Sequence, residues 1–212
     1  QVKSPNAAQS KAIAALKSWN LVNSPESVGA TIFENWVLTL QNCLWDDEFS
    51  ADEIVPMSRP SMDRTIQLIK SEPTARWWDD TKTPVKESMS DIVMKSLQAN
   101  VDTLVKQHGP QGPEWAWYKH KQTGVRHLIP GMDALSRLNI PIGGGGTIVN
   151  ASTTKTGPSW RLVVELSKEG KPRAYGVYPG GQSGNPGSSH YDDLIDTWAK
   201  GELKPLLYLE SP

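Results

Sequence analysis

The sequence is poor in cysteine, has no long apolar run and carries almost no net charge. Its single cysteine, Cys43, excludes an internal disulfide and any cysteine-rich metal site. No apolar run approaches the roughly 18 residues that a membrane-spanning helix needs. Lys and Arg number 22 and Asp and Glu 23, so the net charge of -1 gives no reason to expect nucleic acid or an acidic membrane as a partner.

A secretory signal peptide is also missing, and the chain starts at Gln1 rather than at a methionine. From this start we expect a chain that has been processed or cut from something longer. A length of 212 residues is enough for one sizeable domain or two small ones.

The first half of the sequence has the spacing of amphipathic helices, and we expect a helical region over residues 1–110. Ser4-Pro5 and Ser24-Pro25 each pair an N-cap hydroxyl with a proline at the first helical position, which is a start signal. After the second signal, apolar residues recur every three or four positions until about Phe49. They are Val28, Ile32, Phe33, Trp36, Leu40 and Leu44.

Two further helices are predicted in this half. The first runs from Ser61 to Ser71, with Ile66 and Ile69 facing inward. The second runs from Ser88 to Gln107 and is stopped by His108-Gly109-Pro110. The polar stretch between them, from Thr74 to Pro84, contains a pair of tryptophans and is expected to lie on the surface.

Glycine, proline and β-branched residues become dense later in the chain, and we expect residues 111–212 to form a mixed, β-rich region. Ser159 to Leu166 and Arg173 to Tyr178 are predicted to pair as an antiparallel hairpin. Thr147 to Ala151 is expected to form another strand. Asp192 to Lys200 is expected to form a short helix that ends at Gly201. The fold class indicated is α+β.

Four consecutive glycines precede the predicted strand Thr147 to Ala151. They are Gly143, Gly144, Gly145 and Gly146. Such a run lets the backbone approach a ligand closely. A phosphate-binding loop would need a Lys-Ser/Thr pair and a helix after the glycines, and neither follows here. A bend packed beside another chain segment is therefore the main interpretation.

The loop from Pro179 to Asp193 is rich in glycine, serine and asparagine. Ser183 has Gly181 two positions before it, but Asn185 stands where a nucleophile elbow needs its second glycine. We therefore expect Ser183 and Asn185 to bond local backbone while the glycines supply positive φ angles.

The end of this loop could suggest a metal site, since it reads His190-Tyr191-Asp192-Asp193. The spacing matches no zinc motif, and we predict no metal. Negative charge at a helix start is the simpler role for the two aspartates, with Ser188 or Ser189 as the N-cap.

Aromatic residues are concentrated in a few places, and most of the nine tryptophans are expected in packing. A cluster from Trp115 to His120, followed by His127, makes the two histidines minor functional candidates, although no Ser/His/Asp set can be assembled. A second hypothesis is a non-enzymatic module that binds a partner or a glycan. It would require an exposed coplanar pair among Trp77, Trp78, Trp115 and Trp117.

Several segments resemble motifs of the penicillin acylase (penicillin amidase) family of N-terminal-nucleophile hydrolases. The segments are Trp115-x-Trp117 with His120, Ile142 to Ala151, Gly157 to Arg161, and Pro179 to Asp193 followed by Trp198, Gly201 and Pro205 to Tyr208. Tyr118 stands where the family usually has glycine, and Gly145 or its neighbour replaces the usual acidic residue. The resemblance covers nearly the whole chain and is most specific in the last hundred residues.

The resemblance implies an amidohydrolase of N-acyl compounds, such as β-lactam side chains or acyl-homoserine lactones. In this family a serine at the start of the β chain, exposed by self-cleavage of a precursor, attacks the amide with its own α-amine as the base. That serine lies outside these residues, so we carry over no catalytic residue, no cofactor and no metal. The chain would be the C-terminal part of a β chain, inactive alone.

Further expectations follow from the same resemblance. The chain would complete an αββα sandwich together with the α chain and the N-terminal part of the β chain. The loop Gly143 to Gly146 and Asn150 would lie behind the catalytic centre. An uncovered sheet edge or face should either expose apolar strand surface or form a homodimer. Members are commonly exported, which implies the periplasm.

Overall fold

The computed structural model of the chain describes residues 4–49, 58–168 and 170–207. These residues form six α-helices and one three-stranded antiparallel sheet, which confirms the α+β fold class. They divide into two compact units. The described residues of 1–21 and 28–115 form the first unit, and those of 22–27 and 116–212 form the second. The segment 22–27 therefore belongs to a different unit from the residues on either side of it.

The first unit is helical. Its elements are α1 (Ala7–Ser18), α2 (Val28–Trp45), α3 (Met62–Ser71) and α4 (Met89–His108), with 3-10 turns at Arg76–Trp78 and Pro113–Trp115. All the helices predicted from the apolar spacing are present. No helix in the described part of the chain is both long enough and apolar enough to cross a bilayer.

Both proline start signals are displaced from the observed helix starts. Asn6, and not Ser4, caps α1, because its side chain accepts a hydrogen bond from the backbone N–H of Gln9 at 2.8 Å. The Gln9 side chain in turn accepts from the backbone N–H of Asn6 at 2.9 Å, which completes a capping box. Pro25 lies in a turn closed by Ser27 N–H and Ser24 C=O, so α2 begins only at Val28.

Two apolar clusters hold the first unit together. The cluster between α1, α2 and α4 contains Ala12, Ile32, Leu97, Val101, Leu104 and Trp115. The cluster between α2, α3 and α4 contains Leu40, Leu44, Trp45, Leu68, Trp78 and Ile92. Burial of these side chains is the main source of stability in this unit.

The prediction that Ile66 and Ile69 face inward is wrong. Both are exposed, whereas Thr65 and Leu68 are buried. The hydroxyl of Thr65 accepts a hydrogen bond from Trp45 Nε1 at 3.0 Å, and this buried bond fixes which face of α3 packs. The surface assignment for Thr74 to Pro84 is also wrong for Trp78, which is buried in the second apolar cluster.

The second unit contains shorter elements. They are α5 (Trp117–Lys121), a 3-10 turn at Asp133–Leu135, β1 (Arg161–Glu165), β2 (Arg173–Val177), α6 (Ile195–Lys200) and β3 (Lys204–Pro205). The strand order is β1-β2-β3, and Val163 pairs with Tyr175, which confirms the predicted hairpin. Its apolar core contains Ile140, Ile142, Val177, Leu194 and Trp198.

Two predictions about this unit are wrong in detail. Thr147 to Ala151 forms turns and bends rather than a strand. The terminal helix begins at Ile195 with Leu194 at its N-cap, so neither Ser188 nor Ser189 caps it. Its end is as expected, since Gly201 adopts the left-handed conformation with φ of 76°.

Strand β1 exposes apolar side chains from both of its faces. Leu162, Val163 and Val164 are 51 %, 53 % and 46 % exposed, and successive residues of a strand point to opposite faces. β1 is also at the edge of the sheet formed by the described residues. The expected uncovered apolar strand surface is therefore present.

Candidate functional site

The candidate site lies in the second unit, where oxygen atoms surround the buried ammonium of Lys121. This side chain is only 1 % exposed. Its Nζ donates to the carbonyl oxygens of Ile142 and Gly143, each at 3.0 Å, and lies 3.4 Å from that of Gly144. It also donates to the hydroxyl of Ser152. We call these three carbonyls and this hydroxyl the lysine cage.

Helix α5 aims two side chains at the cage. Trp117 and Lys121 are four residues apart, so they lie on the same helical face. Trp117 Nε1 donates to the Gly144 carbonyl at 2.7 Å. Lys121 Nζ lies 5.3 Å from the centroid of the Trp117 ring, within the range of a cation–π interaction. One short helix thus places an indole N–H and an ammonium on the same loop.

The glycine run allows the loop to pass this close to other backbone. A Cβ at Gly143 would lie 2.6 Å from the carbonyl oxygen of Asn23. Gly144 has a φ of 92°, and a Cβ there would collide with the carbonyl oxygen of Asn150. The amide of Gly144 donates to Asn23 C=O at 2.8 Å, and that of Gly145 to Asn150 C=O at 3.1 Å. The interpretation of a bend packed beside another segment is confirmed.

Asn150 connects the loop to strand β1. Its Nδ2 donates to the Gly143 carbonyl at 3.1 Å, and its Oδ1 accepts from the Arg161 guanidinium at 2.6 Å. The same guanidinium donates to the Trp198 carbonyl at 2.5 Å. Burial lowers the pKa of Arg161 below its ordinary value. Of the predicted site residues, Gly143, Gly144, Gly145 and Asn150 meet here, whereas Gly146 is exposed at the rim.

Trp198 explains why position 157 is a glycine. Its Nε1 donates to the Pro158 carbonyl at 2.8 Å. A Cβ at Gly157 would lie 2.5 Å from the indole ring, so only glycine fits there without a shift. Arg161 and Trp198 thereby hold together three parts of the chain, which are the segments 142–151 and 157–161 and the terminal helix.

The loop from Pro179 to Asp193 is organised by its own side chains, as predicted. Ser183 Oγ accepts from the Asn185 amide at 3.1 Å, and Asn185 Oδ1 accepts from the Gly187 amide at 3.0 Å. Gly180 has a φ of 94°. The hydroxyl of Ser183 therefore has a local, geometric role.

The two aspartates at the end of this loop precede the terminal helix instead of starting it. Asp192 forms an ion pair with Arg137 at 2.5 Å, and Asp193 lies 3.0 Å from His190 Nδ1. Among the described residues, no group of three or more His, Cys, Asp or Glu side chains is placed to hold a metal ion.

The two histidines named as minor functional candidates have packing or turn contacts. The His120 ring stacks on Trp117 at 5.9 Å between centroids. His127 Nδ1 accepts from the Ile129 amide at 3.2 Å.

The tryptophans named for a glycan-binding surface are mainly in the core. Trp78, Trp115 and Trp117 are buried. Trp77 stacks on Phe49 with 6.2 Å between ring centroids. The exposed coplanar pair that the binding-module hypothesis requires is therefore not formed by these four side chains.

Sequence reasoning missed Lys121, Ser152 and Arg161. Lysine is seldom buried, so composition and periodicity give no reason to place it inside. The available signal was weak and consisted of Lys121 four residues after Trp117 in a short helix. No spacing rule links it to the glycines some twenty residues later.

Comparison with known proteins identifies the same family that the sequence motifs resemble. The sequence model of the penicillin amidase family matches residues 2–212. The acyl-homoserine lactone acylase QuiP of Pseudomonas aeruginosa is 33 % identical over 149 residues, which cover 59 % of this chain and 17 % of that protein. QuiP of Pseudomonas putida is 26 % identical over 210 residues, covering 92 % of this chain and 26 % of that protein. QuiP of Pseudomonas fluorescens Pf0-1 is 30 % identical over 224 residues, covering 93 % and 26 %. The chain thus spans about a quarter or less of the length of these relatives.

Proposed function

Because this chain belongs to the penicillin amidase family, we propose that it is part of an amidohydrolase that cleaves the amide bond of N-acyl compounds. The family match over residues 2–212 is the observation that carries this proposal. The relatives are named acyl-homoserine lactone acylases, so acyl-homoserine lactones come first among the substrates we propose. The side-chain amides of β-lactams and related N-acyl compounds come next.

The proposed reaction uses a nucleophile that is not among these residues. The hydroxyl of an N-terminal serine attacks the amide carbonyl, and its own α-amine accepts the hydroxyl proton, directly or through water. Backbone N–H groups and an asparagine stabilise the oxyanion. The C–N bond then breaks, the amine leaves with the proton, and water hydrolyses the acyl ester to a carboxylic acid. This chain contributes scaffold and is inactive alone.

The partner we propose is the rest of the same precursor. Strand β1 supports this because Leu162, Val163 and Val164 are apolar and exposed on both faces. A strand that is apolar on both faces is typical of a sheet covered by other layers. We propose that β1 lies inside an αββα sandwich completed by the α chain and the N-terminal part of the β chain. The compartment we propose, on the family resemblance, is the periplasm.

The loop with Gly143 to Gly146 and Asn150 is proposed to lie behind the groups that contact substrate. Support comes from its hydrogen bonds, since four side-chain donors hold the carbonyls of Ile142, Gly143 and Gly144 in place. A catalytic centre needs such fixed supports because small displacements of reacting groups are costly.

The test compares this chain with the product of its complete gene. Both are incubated with an N-acyl-homoserine lactone and with a chromogenic phenylacetyl amide, and released homoserine lactone and chromophore are quantified. Intact mass of the gene product reports self-cleavage. We expect cleavage that exposes a serine, hydrolysis by the complete product and none by this chain alone. A complete product that cleaves itself but hydrolyses neither amide would refute the substrate assignment. One that never exposes an N-terminal serine would refute the mechanism.

A further inference from the structure

The lysine cage has the composition of a binding site for a monovalent cation. Rings of backbone carbonyl oxygens replace the hydration shell of such ions in proteins. Here the carbonyls of Ile142, Gly143 and Gly144 and the hydroxyl of Ser152 converge on one point, which the ammonium of Lys121 occupies. We infer that Lys121 is a positioning residue whose ammonium acts as a tethered cation, and that a free alkylammonium ion can replace it in the cage.

The geometry favours a charged occupant over simple space filling. An ammonium has three N–H donors and no acceptor, and the cage offers it four oxygens. The two shortest carbonyl distances, 3.0 Å each, are ordinary N–H···O hydrogen bonds. A neutral apolar group of the same size would remove one hydrogen-bond donor from each of these buried oxygens, which is costly.

Neighbouring donors direct the carbonyl oxygens toward the cage. Gly143 C=O also accepts from the Ser152 hydroxyl at 2.5 Å and from Asn150 Nδ2 at 3.1 Å. Gly144 C=O also accepts from Trp117 Nε1 at 2.7 Å. The Ser152 hydroxyl donates its hydrogen to the Gly143 carbonyl, so the lone pairs of its oxygen can accept a hydrogen bond from Lys121. The ammonium is therefore the centre of a network that fixes the carbonyls of three consecutive residues.

The loop amides report whether the cage is filled. The Gly143 carbonyl and the Gly144 amide share one planar peptide unit, as do the Gly144 carbonyl and the Gly145 amide, so loss of the ammonium should loosen both amides. Gly144 N–H donates to Asn23 C=O, and Gly145 N–H donates to Asn150 C=O. Their hydrogen-exchange protection thus measures the positioning effect without any enzymatic assay, and the inference does not depend on the proposed activity.

The experiment is chemical rescue of Lys121→Ala. This change removes Cγ, Cδ, Cε and Nζ, and propylammonium supplies the same four heavy atoms. We expect protection of the Gly144 and Gly145 amides to fall at least about tenfold, and the midpoint of thermal unfolding to fall by about 5 °C. Propylammonium should restore most of both losses. Propan-1-ol fills the same space without charge, and tetramethylammonium carries charge without donors, so neither should restore them.

Two further variants keep the result interpretable. Lys11→Ala is the matched control, because Lys11 Nζ also donates to a backbone carbonyl, Gln111 at 2.7 Å, but at an exposed site. It should lose little and gain nothing from propylammonium. Lys121→Met retains most of the aliphatic stem but has no N–H donors, and it should also lose protection. If Lys121→Ala does not fold alone, its refolding yield with propylammonium and with propan-1-ol makes the same comparison.

Clear results would overturn the inference. Wild-type protection in Lys121→Met would show that the stem, and not the ammonium, shapes the loop. Equal rescue of Lys121→Ala by propan-1-ol and propylammonium would show that the cage is only a space to fill.

Discussion

The two units of this chain differ in the balance between apolar packing and hydrogen bonds to backbone carbonyls, although buried indoles of the first unit, Trp78 and Trp115, also donate to carbonyls. In the first, long helices bury apolar side chains in two clusters. In the second unit, helices and strands are short, and several large buried or half-buried side chains donate hydrogen bonds to backbone carbonyls. These are Trp117, Lys121, Arg161 and Trp198.

This difference changes how each unit tolerates substitution. Apolar cores accept changes of shape if total volume is kept. A buried hydrogen-bond network is less tolerant, because removing one partner leaves the other buried and unsatisfied. We therefore expect the second unit to be sensitive to changes that leave volume almost unaltered.

The largest effect should come from Trp198→Ala. This change removes a ring that is 1 % exposed, together with its bond to Pro158 C=O, and should lower the free energy of unfolding by about 4 kcal/mol. Leu104→Ala in the first unit should cost about 3 kcal/mol. Urea denaturation followed by circular dichroism measures both.

Trp198→Phe separates packing from hydrogen bonding. It keeps an aromatic ring and loses the N–H donor, and we expect a cost of about 1.5 kcal/mol. A cost indistinguishable from zero would mean that the second unit is held by apolar packing after all, and the contrast between the units would disappear.

An effect smaller than that of Trp198→Ala is expected from Gly144→Ala. A methyl group there collides with Asn150 C=O at a φ of 92°, so we expect a loss of about 3 kcal/mol in unfolding free energy. Gly201→Ala is the control, since Gly201 also has a positive φ of 76° but nothing lies within 4 Å of its Cβ position. It should lose only about 1 kcal/mol. Equal losses would show that backbone strain alone, and not close approach, makes glycine necessary in the loop.

The smallest effect concerns an ion pair in the first unit. A hydrogen bond from Lys95 lowers the pKa of Asp80, and that bond raises the pKa of Lys95. The Asp80 contribution is present above its ordinary pKa of about 4 and is lost as the pH falls through the lower folded value. The Lys95 contribution is complete below its ordinary pKa of about 10.4 and is lost as the pH rises through the higher folded value.

Asp80→Asn should therefore destabilise the protein by about 0.5 kcal/mol at pH 7, and the difference from wild type should shrink in acid. The measurement is urea denaturation at several pH values. Glu165→Gln is the control from the second unit, where the Glu165–Arg173 pair is well exposed and should contribute almost nothing. A pH-independent difference for Asp80→Asn would show that its carboxylate acts by geometry rather than by charge.

The sequence predicts the first unit well because a helix repeats every 3.6 residues. The runs after Val28 and Ser88 are long enough to identify their helices and most of their buried positions. The face of α3 was missed because this helix is short and its packing is set by Thr65, a polar residue whose partner Trp45 is twenty positions away. Periodicity contains no information on such a bond.

The candidate site is predicted only in part for a related reason. Glycine at 143 and 144 indicated a close approach, and Asn150, which was predicted together with the glycines, contacts the Gly143 carbonyl. Thr147 to Ala151 has the composition of a strand, but the bonds around it go to neighbouring loop atoms instead of a ladder. The burial of Lys121 follows from long-range contacts with backbone carbonyls. Because every residue has a backbone carbonyl, the residue types in the sequence do not show which carbonyls Lys121 contacts.

The membership of residues 22–27 in the second unit has a practical consequence. A protease cut between residues 115 and 116 would not release that unit intact, because Asn23 and Pro25 would stay with the other piece. Their carbonyls accept from the amides of Gly144 and Tyr118. The second unit is thus a discontinuous domain. In a split-protein experiment, the later piece would have to recapture the hexapeptide Val-Asn-Ser-Pro-Glu-Ser in trans to rebuild its glycine loop.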